Sequence, residues 1–510
     1  MCHLWHILFF LVSDIKYNMK TNNEGNYSRI LKYTGIFGGV QGFNILIGIV
    51  RNKFTAILLG PGGMGLAALF NSTINMVASA ANFGLPTSGV QEISEKYQSC
   101  PEKVADSIKL IRSWSLLAAL LGFMVCVVFA PLLNHLTFTW GDHTLHFVLL
   151  SPVVAFSIIS GGELAVLKAT RQLKSLAITS VLVIVSSLLF TIPIYYFWGI
   201  KGIISVLFLQ AFSQMVCAIY YSVRFYPYSV SLSPKYLSGG LRVVRLGLSF
   251  VVAGLFTAGA EFAIRSYLNN VGCLDQVGFF NAGWTLSVVY GGLVFSAMEA
   301  DYFPRLSSIC SKGAEQNDCV NKQMEINVLL VGPILTLMVF MLPILLPLLY
   351  SSSFNVILRM TQLATASILM RAIYLPIEYL PLSKGHSLVF LFQEAFCVVL
   401  LVGMEILGYS HLGLTGLGVG IFCAYTIETI CVIIFSRVYY SYKMSNKTVT
   451  FAVVQLFFIL VVLMLALLPL SSITYWSVAL FVSLLHIFFT LYLMKKYTDV
   501  FDKVLAKFHR

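Results

Sequence analysis

At 510 residues, 58% hydrophobic and 11% charged, with a mean hydropathy of +0.85, the chain lies far outside the range of soluble globular proteins. A net charge of +12 would suggest a nucleic-acid partner for a soluble protein, but here the basic residues sit in loops between apolar stretches. Anionic membrane lipids are the expected partner and nucleic acid is not. Ten cysteines without a Cys-x-x-Cys pair predict neither a disulfide framework nor a metal site, and no cofactor motif is present.

Residues 1–18 carry the apolar run Leu4–Val12 without a basic segment before it or a cleavage site after it. Met19-Lys20-Thr21 reads as the more natural start, with a short membrane-surface segment as the alternative. Fourteen apolar stretches follow, each near the ~20 residues that cross a bilayer. The first six are Lys32–Val50, Met64–Leu85, Ile111–Asn134, His143–Leu167, Ser175–Trp198 and Ile200–Ser222. A basic connection with Pro227, Pro234 and Gly239-Gly240 separates them from a second six: Leu246–Leu268, Val277–Ala300, Ile326–Tyr350, Asn355–Leu380, Ser387–Leu407 and Gly413–Phe435. Val449–Leu470 and Ile473–Met494 complete the set. The tail from Lys495 alternates apolar and basic residues and predicts an interfacial helix.

With the N-terminus inside, 27 of the 33 Lys and Arg fall in inside loops, which places both termini in the cytoplasm. The halves echo each other. Arg29 and Lys32 precede the first span as Arg242 and Arg245 precede the seventh, and Arg51 and Arg265 close those spans. The predicted fold is an all-α polytopic membrane protein of about 14 helices, two six-helix lobes related by a pseudo-twofold axis along the membrane normal plus two C-terminal helices. Its divisions are a cytoplasmic N-terminus (1–31), an N-lobe (32–222), a cytoplasmic linker (223–245), a C-lobe (246–436), helices 13 and 14 (449–494) and a cytoplasmic tail (495–510).

Arginines inside spans carry the functional signal, because an ionised arginine at mid-bilayer costs roughly 2.5–3.5 kcal/mol on insertion scales. Arg371 lies deep in the tenth span with Ser367, Tyr374 and Glu378 on its face. Arg265 ends a stripe of Thr257 and Glu261 at spacing four. Arg51 ends one of Gln41, Asn44 and Gly48, with Lys53 close by. The second span adds Asn71, Asn75, Ser79 and Asn82, and the eighth adds Asn281 and Thr285. Together they predict one hydrated cavity with cations Arg51, Lys53, Arg265 and Arg371, and with Gln41, Asn44, Asn71, Asn75, Asn82 and Asn281 as sugar-contacting amides. Arginine forks suit phosphate oxygens and amides suit hydroxyls, so the implied ligand is anionic and polyhydroxylated.

Plainer readings stand beside this one. Arg265 with Glu261 and Arg371 with Glu378 are spaced as internal ion pairs, Arg51 and Lys53 as residues snorkelling to the interface, and the Asn/Ser stripe as helix packing. Intramembrane carboxylates are Glu163, Glu261, Glu299, Glu378, Glu394, Glu405 and Glu428, of which Glu261 and Glu378 are the ion-coupling candidates.

Arg51, Leu59-Gly60-Pro61, Gly65 through Phe70, and Gly84-Leu85-Pro86-Thr87-Ser88-Gly89-Val90-Gln91-Glu92-Ile93 resemble the opening of polysaccharide-biosynthesis flippases, the O-antigen translocases. These belong to the multidrug/oligosaccharidyl-lipid/polysaccharide exporter superfamily. The motif-level likeness covers about Lys32–Lys96, and the fourteen-span layout nearly the whole chain. The resemblance implies a transporter, not an enzyme, in the bacterial inner membrane. It would flip an undecaprenyl-pyrophosphate-linked glycan to the periplasmic leaflet by alternating access, beside polysaccharide polymerase and chain-length machinery. Family members use cationic lumen residues, a role that Arg51 and Arg265 would fit.

The alternatives are a peptidoglycan lipid-precursor flippase and a cation-coupled multidrug exporter, both of the same fold. The exporter predicts acids in the first span and an aromatic, anionic cavity; Tyr33–Val50 contains no Asp or Glu, and neither feature is prominent in the sequence. A glycan polymerase would need a sizeable outer loop, and a scaffold has no use for intramembrane arginines.

Overall fold

The structure is a computed structural model that describes residues 26–99, 101–292, 295, 302–303, 305–307, 309, 313–468 and 471–497. The proposed over-long start, most of the tail helix, and Glu299 fall outside these residues. The described residues are 91% helical and include no strand.

Ten helical stretches are long and apolar enough to cross a membrane. Three are pairs of spans: 26–59 with 61–81, Leu173–Trp198 with Ile203–Val223, and 387–412 with 414–440. The others are Val104–Val128, Thr144–Ala169, Leu241–Val271, Gly313–Leu349, Leu358–Ser383, Asn446–Leu467 and Ser472–Tyr497. The eighth span, beginning Leu274–Trp284 and passing through a π turn at Thr285–Val289, brings the total to fourteen. Gly60 and Gly413 each reverse the chain at one residue with φ of 67° and 58°. Those angles are open to glycine at little cost, and Pro61 starts the next helix because its missing N–H is not needed there.

The first span runs nine residues beyond its expected end. Arg51 and Lys53 therefore do not close the helix. Arg51 sits eight residues before Leu59, about 12 Å along the axis at 1.5 Å per residue. Its snorkelling distance is correspondingly long.

The halves meet through glycine at both faces of the bundle. On the Gly60 face, Gly65 of the second span and Gly278 of the eighth pack backbone to backbone. A Cβ on Gly65 would collide with the Leu274 carbonyl, and one on Gly278 with that of Pro61. On the opposite face, Gly84 and Gly247 do the same, against the Gly247 and Phe83 carbonyls. Asn269 and Asn270, at the other end of the seventh span and so on the Gly60 face, add hydrogen bonds to the carbonyls of Thr137 (2.8 Å) and Leu136 (3.1 Å).

The last two spans dock on the ninth through buried polar contacts. His486 Nε2 donates to Gln455 Oε1 at 2.5 Å, and its Nδ1 lies 2.8 Å from the Thr336 hydroxyl. Gln455 in turn donates to Thr490, and Glu325 pairs with Lys447 at 2.8 Å and accepts from Thr448. In a bilayer such bonds hold helices together where apolar burial cannot.

Candidate functional site

A cavity of about 170 Å³ lies between the halves, just inside the Gly65–Gly278 contact. At ~30 Å³ per water it is room for five or six waters, or for one compact anionic group. Arg51 and Asn71 face it from the first two spans, and Glu261, Arg265 and Asn281 from the seventh and eighth. The repeat positions singled out by sequence therefore do converge. Two guanidiniums oppose one carboxylate, which leaves the cavity with a surplus positive charge.

The two arginines are held differently. Arg265 Nη1 pairs with Glu261 Oε2 at 3.0 Å and its Nη2 donates to Asn281 Oδ1 at 3.1 Å. Arg51 makes one side-chain hydrogen bond among the described residues, from Nη1 to the Ser187 hydroxyl at 3.0 Å, and no ion pair. Ser187 also accepts from Gln210, which donates to Thr191 as well. Thr191, Tyr195 and Gln210 complete the polar wall. These fifth- and sixth-span residues are absent from the sequence-derived site, although Ser187, Thr191 and Tyr195 recur at spacing four on one helical face.

Other expected members stand elsewhere. Lys53 donates to the Pro347 carbonyl at the end of the ninth span. Asn82 accepts from the Gly84 amide at 2.7 Å and so caps a turn. Asn44 is half-buried with its Oδ1 unpartnered, and Asn75 is exposed; neither lines the cavity. The side chain of Gln41 lies outside the described residues.

Arg371 does not join a single cationic ring. With Glu378 it lines a second cavity of about 280 Å³ within the C-terminal half, together with Glu394, Tyr425 and Glu428. Its guanidinium lies 6.0 Å from the centre of the Phe295 ring. An aromatic, acidic cavity is thus present, although it is not prominent in the sequence. Its acids come from three different spans, so periodicity along one helix does not reveal it.

Arg112, counted among the loop cations, is in fact 2% exposed. Its Nε and Nη2 grip Glu163 at 2.9 and 3.1 Å, Nη2 also reaches Ser222, and Nη1 donates to the Tyr226 and Pro227 carbonyls. Every N–H of the guanidinium is used, and the Tyr228 ring stacks 5.0 Å away. This arginine pins the start of the inter-half connection to the third, fourth and sixth spans. It is structural, and it shows by contrast how open Arg51 is.

Among solved structures, the fold is similar to an inward-facing multidrug resistance MATE family transporter of the MOP superfamily. The two share 15% identity and a TM-score of 0.64 over 78% of this chain and 94% of that one. It is equally similar to the lipid II flippase MurJ in an inward closed conformation: 14% identity and a TM-score of 0.64 over 92% of this chain and 99% of that one. A MOP superfamily transporter from Pyrococcus furiosus matches at 16% identity and a TM-score of 0.55, over 80% and 93% of the two chains. No curated protein matches by sequence. These likenesses show the fold alone, a multi-pass helical membrane fold. The family described as polysaccharide biosynthesis protein matches residues 30–310, more than half of the sequence, and with the fourteen-span fold around an arginine-lined cavity it places the protein: the chain belongs to the polysaccharide biosynthesis protein family.

Proposed function

We propose that the protein is a flippase that carries an undecaprenyl-pyrophosphate-linked oligosaccharide, an O-antigen or related surface-polysaccharide unit, across the bacterial inner membrane by alternating access. The observation that supports this most is Arg51. It is an intramembrane guanidinium with no ion-pair partner among the described residues, facing a cavity between the halves that it shares with the Arg265–Glu261 pair and with amides and hydroxyls. Such a charge is stabilised by an anionic ligand, and a pyrophosphate supplies paired oxygens for a planar fork. Asn71, Asn281 and Gln210 provide amides suited to sugar hydroxyls. The polyprenyl tail stays in lipid between the halves.

In this reading both termini are cytoplasmic and the Gly60 face is periplasmic. The Gly65–Gly278 contact is then the outer closure and Gly84–Gly247 the inner one, each opening in turn. Glu261 is held by Arg265 until the ligand's anion competes for that guanidinium. The released carboxylate is the candidate for an exchanged proton. Outward movement of about two negative charges gains ~2.3 kcal/mol per charge per 100 mV of inside-negative potential.

No Asp or Glu occurs in 26–59, the whole observed first span, so a cation exporter remains disfavoured as the main activity. The test is a strain lacking the gene. An undecaprenyl-pyrophosphate-linked oligosaccharide is expected to accumulate, inaccessible to a periplasmic probe. Intact surface glycan without accumulation would overturn the reading.

A further inference from the structure

A groove of about 390 Å³ runs between the eleventh and twelfth spans, and it shares no wall residue with the Arg51–Arg265 cavity. Phe392, Phe396, Phe435 and Tyr439 line it. Its rim faces the bilayer, with Leu388 82% and Phe392 76% exposed. The floor is of another kind. Glu378 and Glu428 close the deep end, where they also face the Arg371 cavity on their other side, and no Lys or Arg lines the groove itself.

Two oxygens at this floor lack partners. Glu428 is 3% exposed, and its Oε1 meets no hydrogen-bond donor among the described residues; Oε1 of Gln393, on the facing span, is in the same state. Buried acceptors left without donors are unfavourable. Both lie where a donor entering along the groove would end. A water would satisfy them yet leave the apolar length unfilled. A positively charged donor suits the site better than a neutral one, because carboxylates and ring faces both attract cations.

We infer that this groove binds a lipophilic ammonium compound drawn from the membrane. The ammonium donates to Glu428 and Gln393, and the apolar body lies along the aromatic rings. The occupant is a small amphiphilic amine rather than an ammonium-headed phospholipid. A lipid phosphate would be carried towards Glu378 and Glu428, and the groove is at the small-molecule end of the usual ~300–1,000 Å³ range. The site is independent of the flippase reading, and gives the C-terminal half a ligand of opposite charge to that proposed between the halves.

The test uses the full-length protein in nanodiscs and tritiated decylamine, with bilayer partitioning subtracted on empty discs. Saturable binding is expected, displaced by unlabelled decylamine but not by decanol or a short-chain phosphatidylethanolamine. Glu428→Gln, which keeps the shape and removes the charge, should weaken binding about tenfold or more. Leu388→Arg should do the same from the exposed rim, where folding is not at stake, and thermal midpoints would verify both variants. Displacement by decanol, or unchanged binding in both variants, would overturn the proposal. Displacement by the phosphatidylethanolamine would overturn the choice of occupant.

Discussion

Arg51 and Arg265 face one cavity from opposite halves of the molecule, and among the described residues only Arg265 has a carboxylate to hold it. Equivalent positions in the two halves thus do unequal work. Arg265 is anchored by Glu261 and Asn281, while Arg51 makes one side-chain hydrogen bond, to Ser187, among the described residues.

Arg51→Ala is therefore expected to fold, insert and unfold thermally like the wild type, since it gives up one hydrogen bond to Ser187. Its transport should be lost. A hydrogen bond to a charged group contributes ~1.5–3 kcal/mol, so ligand affinity should fall at least tenfold. Arg51→Lys retains the charge without the fork and should recover only part. Glycan export and protein level, measured in the same cells, check this.

Lys53→Met is the matched control two residues away. Its amine reaches the Pro347 carbonyl rather than the cavity. Export is expected to change by less than twofold, because Lys53 does not line the cavity. A Lys53 variant as defective as the Arg51 variant would show that charge near the Gly60 face, not the cavity, matters.

The Arg112–Glu163 pair should behave as a structural ion pair. Arg112→Met strands a buried carboxylate and is expected to cost about 3–5 kcal/mol, whereas adding Glu163→Leu should restore much of it. Thermal unfolding of the purified variants in detergent gives the comparison. A double variant worse than the single would contradict a purely structural role.

Much of this was legible from sequence, and the reasons for the exceptions are physical. Hydropathy and basic loops marked all fourteen spans because lipid forces each to be a helix. Spacing of four marked Asn71, Glu261, Arg265 and Asn281, since each shares a face with its stripe. The same spacing links Ser187, Thr191 and Tyr195 and marks the fifth-span wall. Arg371 and Arg112 could not be placed in this way. Whether an arginine joins one cavity, another, or a buried pair depends on which span packs beside it, and periodicity along one helix carries no such information. Weak polarity between halves also hid the glycine closures, where the signal is a missing side chain.

Those closures make a conformational prediction. Gly278→Val puts a branched side chain against the Pro61 carbonyl; over-packing of this kind typically costs ~1–3 kcal/mol. Because the damage is confined to one closure, the halves should splay at the Gly60 face. A cysteine placed at Asn71 should then label faster with an impermeant thiol reagent from that side. Unchanged labelling would mean that Gly65–Gly278 does not gate the cavity.

The central claim is tested most directly by flipping in proteoliposomes. Purified protein, wild type or Arg51→Ala, is reconstituted with a fluorescent undecaprenyl-pyrophosphate oligosaccharide loaded in the outer leaflet, and the fraction protected from an external glycosidase is followed in time. The account expects protection to rise with wild-type protein and to stay at the protein-free level with Arg51→Ala. Equal protection by both proteins would contradict it.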